Sequence, residues 1–291
     1  MILLVILILC NVLLAIIFKT FSKYQIDNLN AIVINYFVCV IIASLALSHF
    51  VIPRDLFSLS WFPFSLLLAV FFIIGFNLMA YSYQKAGVAL TAIVAKMSLI
   101  LPVVFVVVFY NESLPLLKIL GILAAVAAIV LVNLPDKSES GSLKFTGFIL
   151  LLPFLVWLLS GFIEILLYYV QVESYVTNNA MTFVATSFGL AGFFGMLYSC
   201  YRAATQKIYP TRKDIIAGII LGLPNFLTIY LLLYLLEKGW QGTVLFPINN
   251  IGILFLTALV GWLIYKEKMN IFKAIGIFLS LIAIILIGIS G

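Results

Sequence analysis

Charge is what this chain lacks. Only 9% of its 291 residues are Asp, Glu, Lys or Arg, against roughly a quarter in a soluble domain. Too few charges are present to build a water-facing globular surface, which excludes a soluble enzyme, a secreted scaffold and a disordered chain. Histidine occurs once, as His49, and cysteine three times, as Cys10, Cys39 and Cys200. The cysteines lie far apart in apolar segments, so they form neither a disulfide framework nor a metal-ligand spacing. All four aspartates, Asp27, Asp55, Asp136 and Asp214, fall in polar stretches between apolar runs. No Asp pair and no His/Glu cluster stands ready for intramembrane catalysis, so the chain reads as no enzyme. No Gly-rich phosphate loop is present to couple ATP, and no cofactor is implied.

What the sequence has is apolar length. Hydrophobic residues make up 65% of the chain, and the mean hydropathy is +1.28. A membrane-spanning helix needs ~20 mostly apolar residues, so this composition furnishes nine or ten. Ten runs can be cut: Ile2–Phe18, Ala31–His49, Trp61–Tyr81, Val88–Tyr110, Leu116–Leu134, Phe145–Val170, Ala180–Tyr201, Ile215–Leu236, Thr243–Tyr265 and Ile271–Ser290. They are too long and too evenly apolar for barrel strands. A backbone in lipid must bond to itself, so helices are expected. The first run lacks a basic flank and a small-residue cleavage site and reads as a span, not a signal peptide.

A hydrophilic Ser/Gly-rich stretch, residues 135–144, separates residues 1–134 from residues 145–291. The two halves repeat. With a shift of 155 residues Gly87 meets Gly242, Tyr110 meets Tyr265, Glu112 meets Glu267, Lys118 meets Lys273, and Gly121-Ile122 meets Gly276-Ile277. Five helices per half is an odd number, so the second copy must enter the membrane inverted relative to the first. The expected fold is an all-α integral membrane protein. Its ten transmembrane helices form a 5+5 inverted-topology repeat around a central cavity, a construction that secondary transporters use.

Twelve Lys and Arg residues fall in the loops after spans 1, 3, 5, 7 and 9, and three in the loops after spans 2, 4, 6 and 8. The positive-inside rule places the twelve in the cytoplasm and both termini outside. Scattered in short loops, these charges form topology signals and no nucleic-acid patch.

Two ionisable residues lie well inside spans: Lys96 in the fourth and Glu164 in the sixth. A charge at the bilayer centre costs on the order of 2.5–3.5 kcal/mol even on a lenient scale, so such residues face a cavity or a partner. The sixth span carries a stripe of Pro153, Trp157, Ser160, Gly161, Glu164 and Tyr168 at helical spacing, which suits either a cavity wall or tight helix packing. In the ninth, Asn249 and Asn250 correspond by the 155-residue offset to Val94 and Ala95, next to Lys96. Pro102 and Pro247 add local breaks. Asn77 and Asn225 are weaker candidates. The substrate-binding set is therefore Lys96, Glu164, Asn249, Asn250, Trp157, Asn77 and Asn225. Small residues on the fifth and tenth spans suggest scaffolding or lateral association, including a homodimer.

The motif residues Gly87, Leu90, Pro102, Tyr110, Glu112, Lys118 and Gly121, followed by Gly242, Leu245, Tyr265, Glu267, Lys273 and Gly276, resemble the drug/metabolite transporter superfamily, EamA-type. The resemblance covers nearly the whole chain. It departs at Cys10-Asn11, where the family often has Trp-Gly, and in the second span, which lacks a frequent Arg. It implies an exporter or exchanger of a small organic metabolite such as an amino acid, in the plasma (inner) membrane, with a central cavity formed by helices other than the fifth and tenth. It carries Glu112 and Glu267 as structural helix starts. It also implies cytoplasmic termini, against the charge count, although the superfamily contains oppositely inserted members. Lys96 would attract an anionic or zwitterionic substrate, and Glu164 would carry a proton if one is coupled. A flippase of a lipid-linked substrate and a non-transporting membrane scaffold are the alternatives. The partners expected are the small-molecule substrate, protons and membrane lipid, and no nucleic acid.

Overall fold

The computed structural model describes residues 1–85, 88–132, 147–263 and 270–289. The polar linker at 135–144 and the motif residues Gly87, Tyr265 and Glu267 lie outside the described residues. Among those described there is no strand, and the chain is an all-helical membrane protein. Six helices are long and apolar enough to cross a bilayer, and four shorter apolar runs, Ile2–Phe18, Phe62–Gly75, Val94–Tyr110 and Leu116–Val132, accompany them. Each overlaps one of the ten runs read from the sequence.

The helices are α1 (Ile2–Tyr24), α2 (Asn28–Leu47), α3 (Phe62–Lys85), α4 (Val88–Met97), α5 (Ile100–Tyr110), α6 (Leu116–Val132), α7 (Gly147–Val172), α8 (Ala180–Gln206), α9 (Arg212–Glu237), α10 (Gly242–Leu263) and α11 (Ile271–Ile289). They gather into two compact units. One comprises Met1–Ile74 with Tyr169–Lys238, the other Gly75–Tyr168 with Gly239–Gly291. Each unit draws on both halves of the sequence.

In the first unit α2 packs against α8 and α9, and α1 packs against α9. Lipid gives no hydrophobic drive for helix association, so contact must come from close packing over small residues. The interface shows this. A Cβ on Gly218 of α9 would stand 2.5 Å from the Ala31 carbonyl of α2, and one on Gly195 of α8 would stand 2.6 Å from Cγ2 of Val33. Gly222, one turn along from Gly218, presses against Val38. Its carbonyl accepts from the Cys39 thiol at 3.4 Å. Tyr36, Phe72 and Phe188 stack in the middle of this unit, with ring centroids 5.3–6.3 Å apart.

Polar residues close one end of the unit. Asp27 caps α2 by accepting from the Asn30 amide at 2.9 Å and meets Arg202 of α8 in a bidentate pair at 2.8 and 3.1 Å. Its backbone N–H donates to Asp214 at 2.8 Å. Asp214 is only 1% exposed and forms a capping box with Thr211 at the start of α9. Burial pulls the Asp27 carboxyl upward, but the Arg202 guanidinium and the α2 amides outweigh it and hold it below its ordinary value.

In the second unit α6 and α11 make the largest interface, with α10 packed on both and on α5. Gly121 of α6 lies under Ile287, and a Cβ on Gly276 of α11 would meet the Val132 nitrogen at 2.9 Å and the Ala128 carbonyl at 3.1 Å. Leu99, Ala125, Ala128, Ile129, Ile251, Leu254 and Ala283 form the buried core there. The small-residue faces expected to serve scaffolding or lateral association thus meet each other inside the chain.

Replacing Gly218 by Ala forces a methyl against a backbone oxygen, which no rotamer relieves. The expected cost is about 1–3 kcal/mol, seen as a melting temperature several degrees lower in detergent. Gly288→Ala is the control, since a Cβ there meets nothing within 4 Å.

Candidate functional site

The fourth apolar run is not one helix. It stops at Met97 and resumes at Ile100. Pro102 is the cause. It has no N–H to offer the Ser98 carbonyl, and its ring crowds that carbonyl. The chain tightens instead into three-residue turns: Ser98 N–H to Ala95 at 3.3 Å, Leu99 N–H to Lys96 at 3.4 Å, and Leu101 N–H to Ser98 at 2.9 Å. Lys96 stands in the last turn of α4, where the exposed carbonyl end of a helix favours a cation. Pro247 acts differently. It sits within α10, which runs unbroken from Gly242 to Leu263, so the break expected there does not form.

Three of the predicted residues come together in the second unit. Asn250 of α10 donates its amide to Glu164 Oε1 at 3.0 Å and to the Phe246 carbonyl at 3.1 Å. Lys96 of α4 acts electrostatically on Glu164. The two are too far apart for an ion pair within 4.0 Å. The second Glu164 oxygen, Oε2, is buried with no hydrogen-bond partner, and so is the carbonyl oxygen of Asn249. Among the described residues of this unit these two atoms are the only buried side-chain N or O atoms left in that condition. A carboxylate, an amine and the Asn250 amide lie beside a broken helix in a membrane, with Asn249 the adjacent residue on α10. That set can take a ligand bearing both a donor and an acceptor, and it can hold a proton. Among the described residues no three of His, Cys, Asp or Glu cluster as metal ligands do.

No contact with these three is seen for the other candidates among the described residues. Trp157 stacks on Phe154 of its own helix, with centroids 5.6 Å apart. Asn225 belongs to the first unit, and its carbonyl accepts from the Thr228 hydroxyl at 2.7 Å. The Asn77 side chain lies outside the described ones. The stripe on α7 divides its work. Glu164 faces the polar site, whereas Gly161 provides close packing: a Cβ there would stand 2.7 Å from Cβ of Leu101.

A second polar cluster was only half visible in the sequence. Glu112, in the α5–α6 loop, caps the start of α10. It accepts from Gly242 N–H at 2.9 Å, Thr243 N–H at 2.9 Å, the Thr243 hydroxyl at 2.7 Å and the Tyr168 hydroxyl at 2.7 Å. Lys118 is fully buried and donates to Gln241 at 2.9 Å, Thr243 Oγ1 at 3.1 Å and the Ser113 carbonyl at 3.2 Å. The structural role expected for Glu112 is real, but the helix it starts is α10, about 130 residues away in the chain, rather than its neighbour α6. The Glu112–Lys118 spacing, repeated at 267 and 273, was the available signal.

Comparison with known proteins agrees with this architecture. Residues 2–134 match the model of the EamA-like transporter family, which belongs to the drug/metabolite transporter superfamily. The matched segment holds the first set of motif residues, Gly87 to Gly121, and is similar to that family. That family comprises membrane transporters rather than enzymes. An uncharacterized protein of Haemophilus influenzae is 28% identical over 293 residues, covering 95% of this chain and 94% of its own length. A solved crystal structure superposes with a TM-score of 0.77 over 99% of this chain and 96% of that one at 14% identity, a likeness of fold.

Burial raises the Glu112 carboxyl, but the amides and hydroxyls of Thr243, Tyr168 and Gly242 hold it below its ordinary 4.5. A depressed folded value contributes stability that is complete above the unfolded value and lost as pH falls through the folded one. Glu112→Gln should therefore lower the melting temperature at neutral pH and flatten the decline between about pH 5 and pH 3. Thermal unfolding across that range checks both effects.

Proposed function

We propose that this chain is a secondary transporter, an exporter or exchanger of a small organic metabolite such as an amino acid or a related zwitterion or anion. The observation that carries the reading is the polar site at the span-four break. Glu164 and Asn249 each keep a buried oxygen unpartnered, and Lys96 is electrostatically coupled to Glu164 without pairing. A ligand with an ammonium donor and a carboxylate acceptor supplies what each lacks.

Transport proceeds by alternating access of two inverted five-helix repeats, residues 1–134 and 145–291, joined by the linker at 135–144. Two facts support this reading. The 155-residue offset matches non-aliphatic residues in order without a gap. Helices that the offset relates also pack on one another: α2 on α8 in the first unit, and α5 on α10 and α6 on α11 in the second, as helices beside a two-fold axis do. The charge count puts the twelve-cation side in the cytoplasm. Glu164 is the group that couples a proton, since it is the one carboxylate well inside a span.

Reconstitution in liposomes tests the proposal. Labelled amino acids and organic acids should enter by counterflow. Lys96→Ala should raise the half-saturating concentration tenfold or more. Glu164→Gln should retain counterflow but lose accumulation driven by a pH gradient. Wild-type behaviour of both variants for every transported solute would overturn the assignment of this site.

A further inference from the structure

We infer that the first unit carries a binding site for the phosphate head of an anionic phospholipid, separate from the polar site of the second unit. A cavity of about 520 Å³ opens where α2 ends and α3 and α8 begin, lined among others by His49, Phe50, Arg54, Trp61, Asn179 and Thr182. Three membrane helices terminate around it, at Leu47, Phe62 and Ala180, so it lies at a boundary of the bilayer.

Its chemistry is that of an anion site. Arg54 is exposed, and no carboxylate among the described residues pairs with it; the neighbouring Asp55 neither lines the cavity nor comes within ion-pair distance. The protein's treatment of Arg202, bonded to Asp27 through two nitrogens, shows the contrast. An unpaired guanidinium offers a planar set of donors that matches phosphate. His49 donates Nδ1–H to the Phe50 carbonyl at 3.0 Å, which fixes the ring beside Arg54's loop. Asn179, at the start of the 27-residue α8, makes no side-chain cap to that helix. It leaves the first amides of α8 without a side-chain acceptor from that position, and the helix field favours an anion.

The same loop says what the anion is attached to. Phe50 is 70% exposed and Phe57 is 85% exposed. Aromatic side chains at a bilayer boundary sit among headgroups and the first acyl carbons. A cation in a loop that also exposes two aromatic rings, Phe50 in the cavity lining and Phe57 beside it in sequence, fits a phosphate that continues into acyl chains better than a free ion.

The full-length protein in detergent is titrated with phosphatidylglycerol, phosphatidylcholine, glycerol 3-phosphate and inorganic phosphate. Native mass spectrometry reads bound lipid and thermal unfolding reads stabilisation. Phosphatidylglycerol should bind at least tenfold more tightly than phosphatidylcholine and stabilise the protein more. Arg54→Ala should abolish that preference while eluting as a folded species, and Arg54→Lys should keep part of it. Three outcomes would each overturn the proposal: equal binding of the two lipids, a preference that survives Arg54→Ala, or glycerol 3-phosphate or inorganic phosphate alone reproducing the whole effect.

Discussion

A polar group inside hydrocarbon must find its partner within the protein, and that constraint shapes every feature of this chain. Most of its buried polar groups meet it. Lys118 has three acceptors, Glu112 four donors, and Asp214 the hydroxyl and amide of Thr211 together with the Asp27 amide. These groups do structural work: they start helices and tie loops to helix ends far away in sequence. Among the described residues Glu164 is the ionisable group that keeps a buried oxygen unpartnered. Its unpartnered oxygen belongs to a group that can carry a full charge. Leaving such an oxygen enclosed costs more than leaving a hydroxyl or amide, as at Ser65 and Thr186 in the first unit. An ionisable group left incomplete in this way marks a place where something else completes it.

The constraint also explains how much could be read without coordinates. Span positions were legible because lipid demands long apolar runs, and an observed helix overlaps each run. The break in span four was legible because Pro102 cannot donate. Lys96, Glu164 and Asn250 were legible as misfits in greasy surroundings. Partners were not. Periodicity tells which residues share a face, but not which helix that face meets. Glu112 thus read as a helix start without showing that the helix is α10, and Gly161 looked as suited to a cavity as to the packing it provides against Leu101. Pro247 shows the same limit in reverse. A proline signals a missing donor, yet α10 passes through it unbroken, with Asn250 bonded to the Phe246 carbonyl beside it.

The composition of the compact units bears on how the repeats work. If each unit were one half of the sequence, a boundary between units would also separate the repeats. Each unit instead takes helices from both halves, and three helix pairs that the offset relates, α2 with α8, α5 with α10 and α6 with α11, pack directly on one another. The tightest of these contacts, α6 on α11, rests on Gly121 and Gly276, which the offset itself pairs. The residue that lets one helix approach is thus repeated in its counterpart, which is what the proposed inverted repeat would require of this contact.

The separation of Lys96 from Glu164 is best understood energetically. A lysine–carboxylate pair at 4 Å is worth about 4 kcal/mol at an effective dielectric near 20. A substrate entering such a pair would first have to break it. On the proposed transport reading, holding the two groups apart would remove that barrier, so ligand binding would not have to supply the reorganisation. The arrangement destabilises the empty protein, because each charge remains incompletely matched in a setting where mid-membrane charges cost on the order of 2.5–3.5 kcal/mol. Compensation has to come from places that never touch substrate. On the same reading, the hydrogen-bonded Glu112–Thr243–Lys118 cluster and the glycine seams at Gly121, Gly218 and Gly276 would supply it. On this view the completeness of the structural polar clusters and the incompleteness of the site are two sides of one design: the first makes the second tolerable.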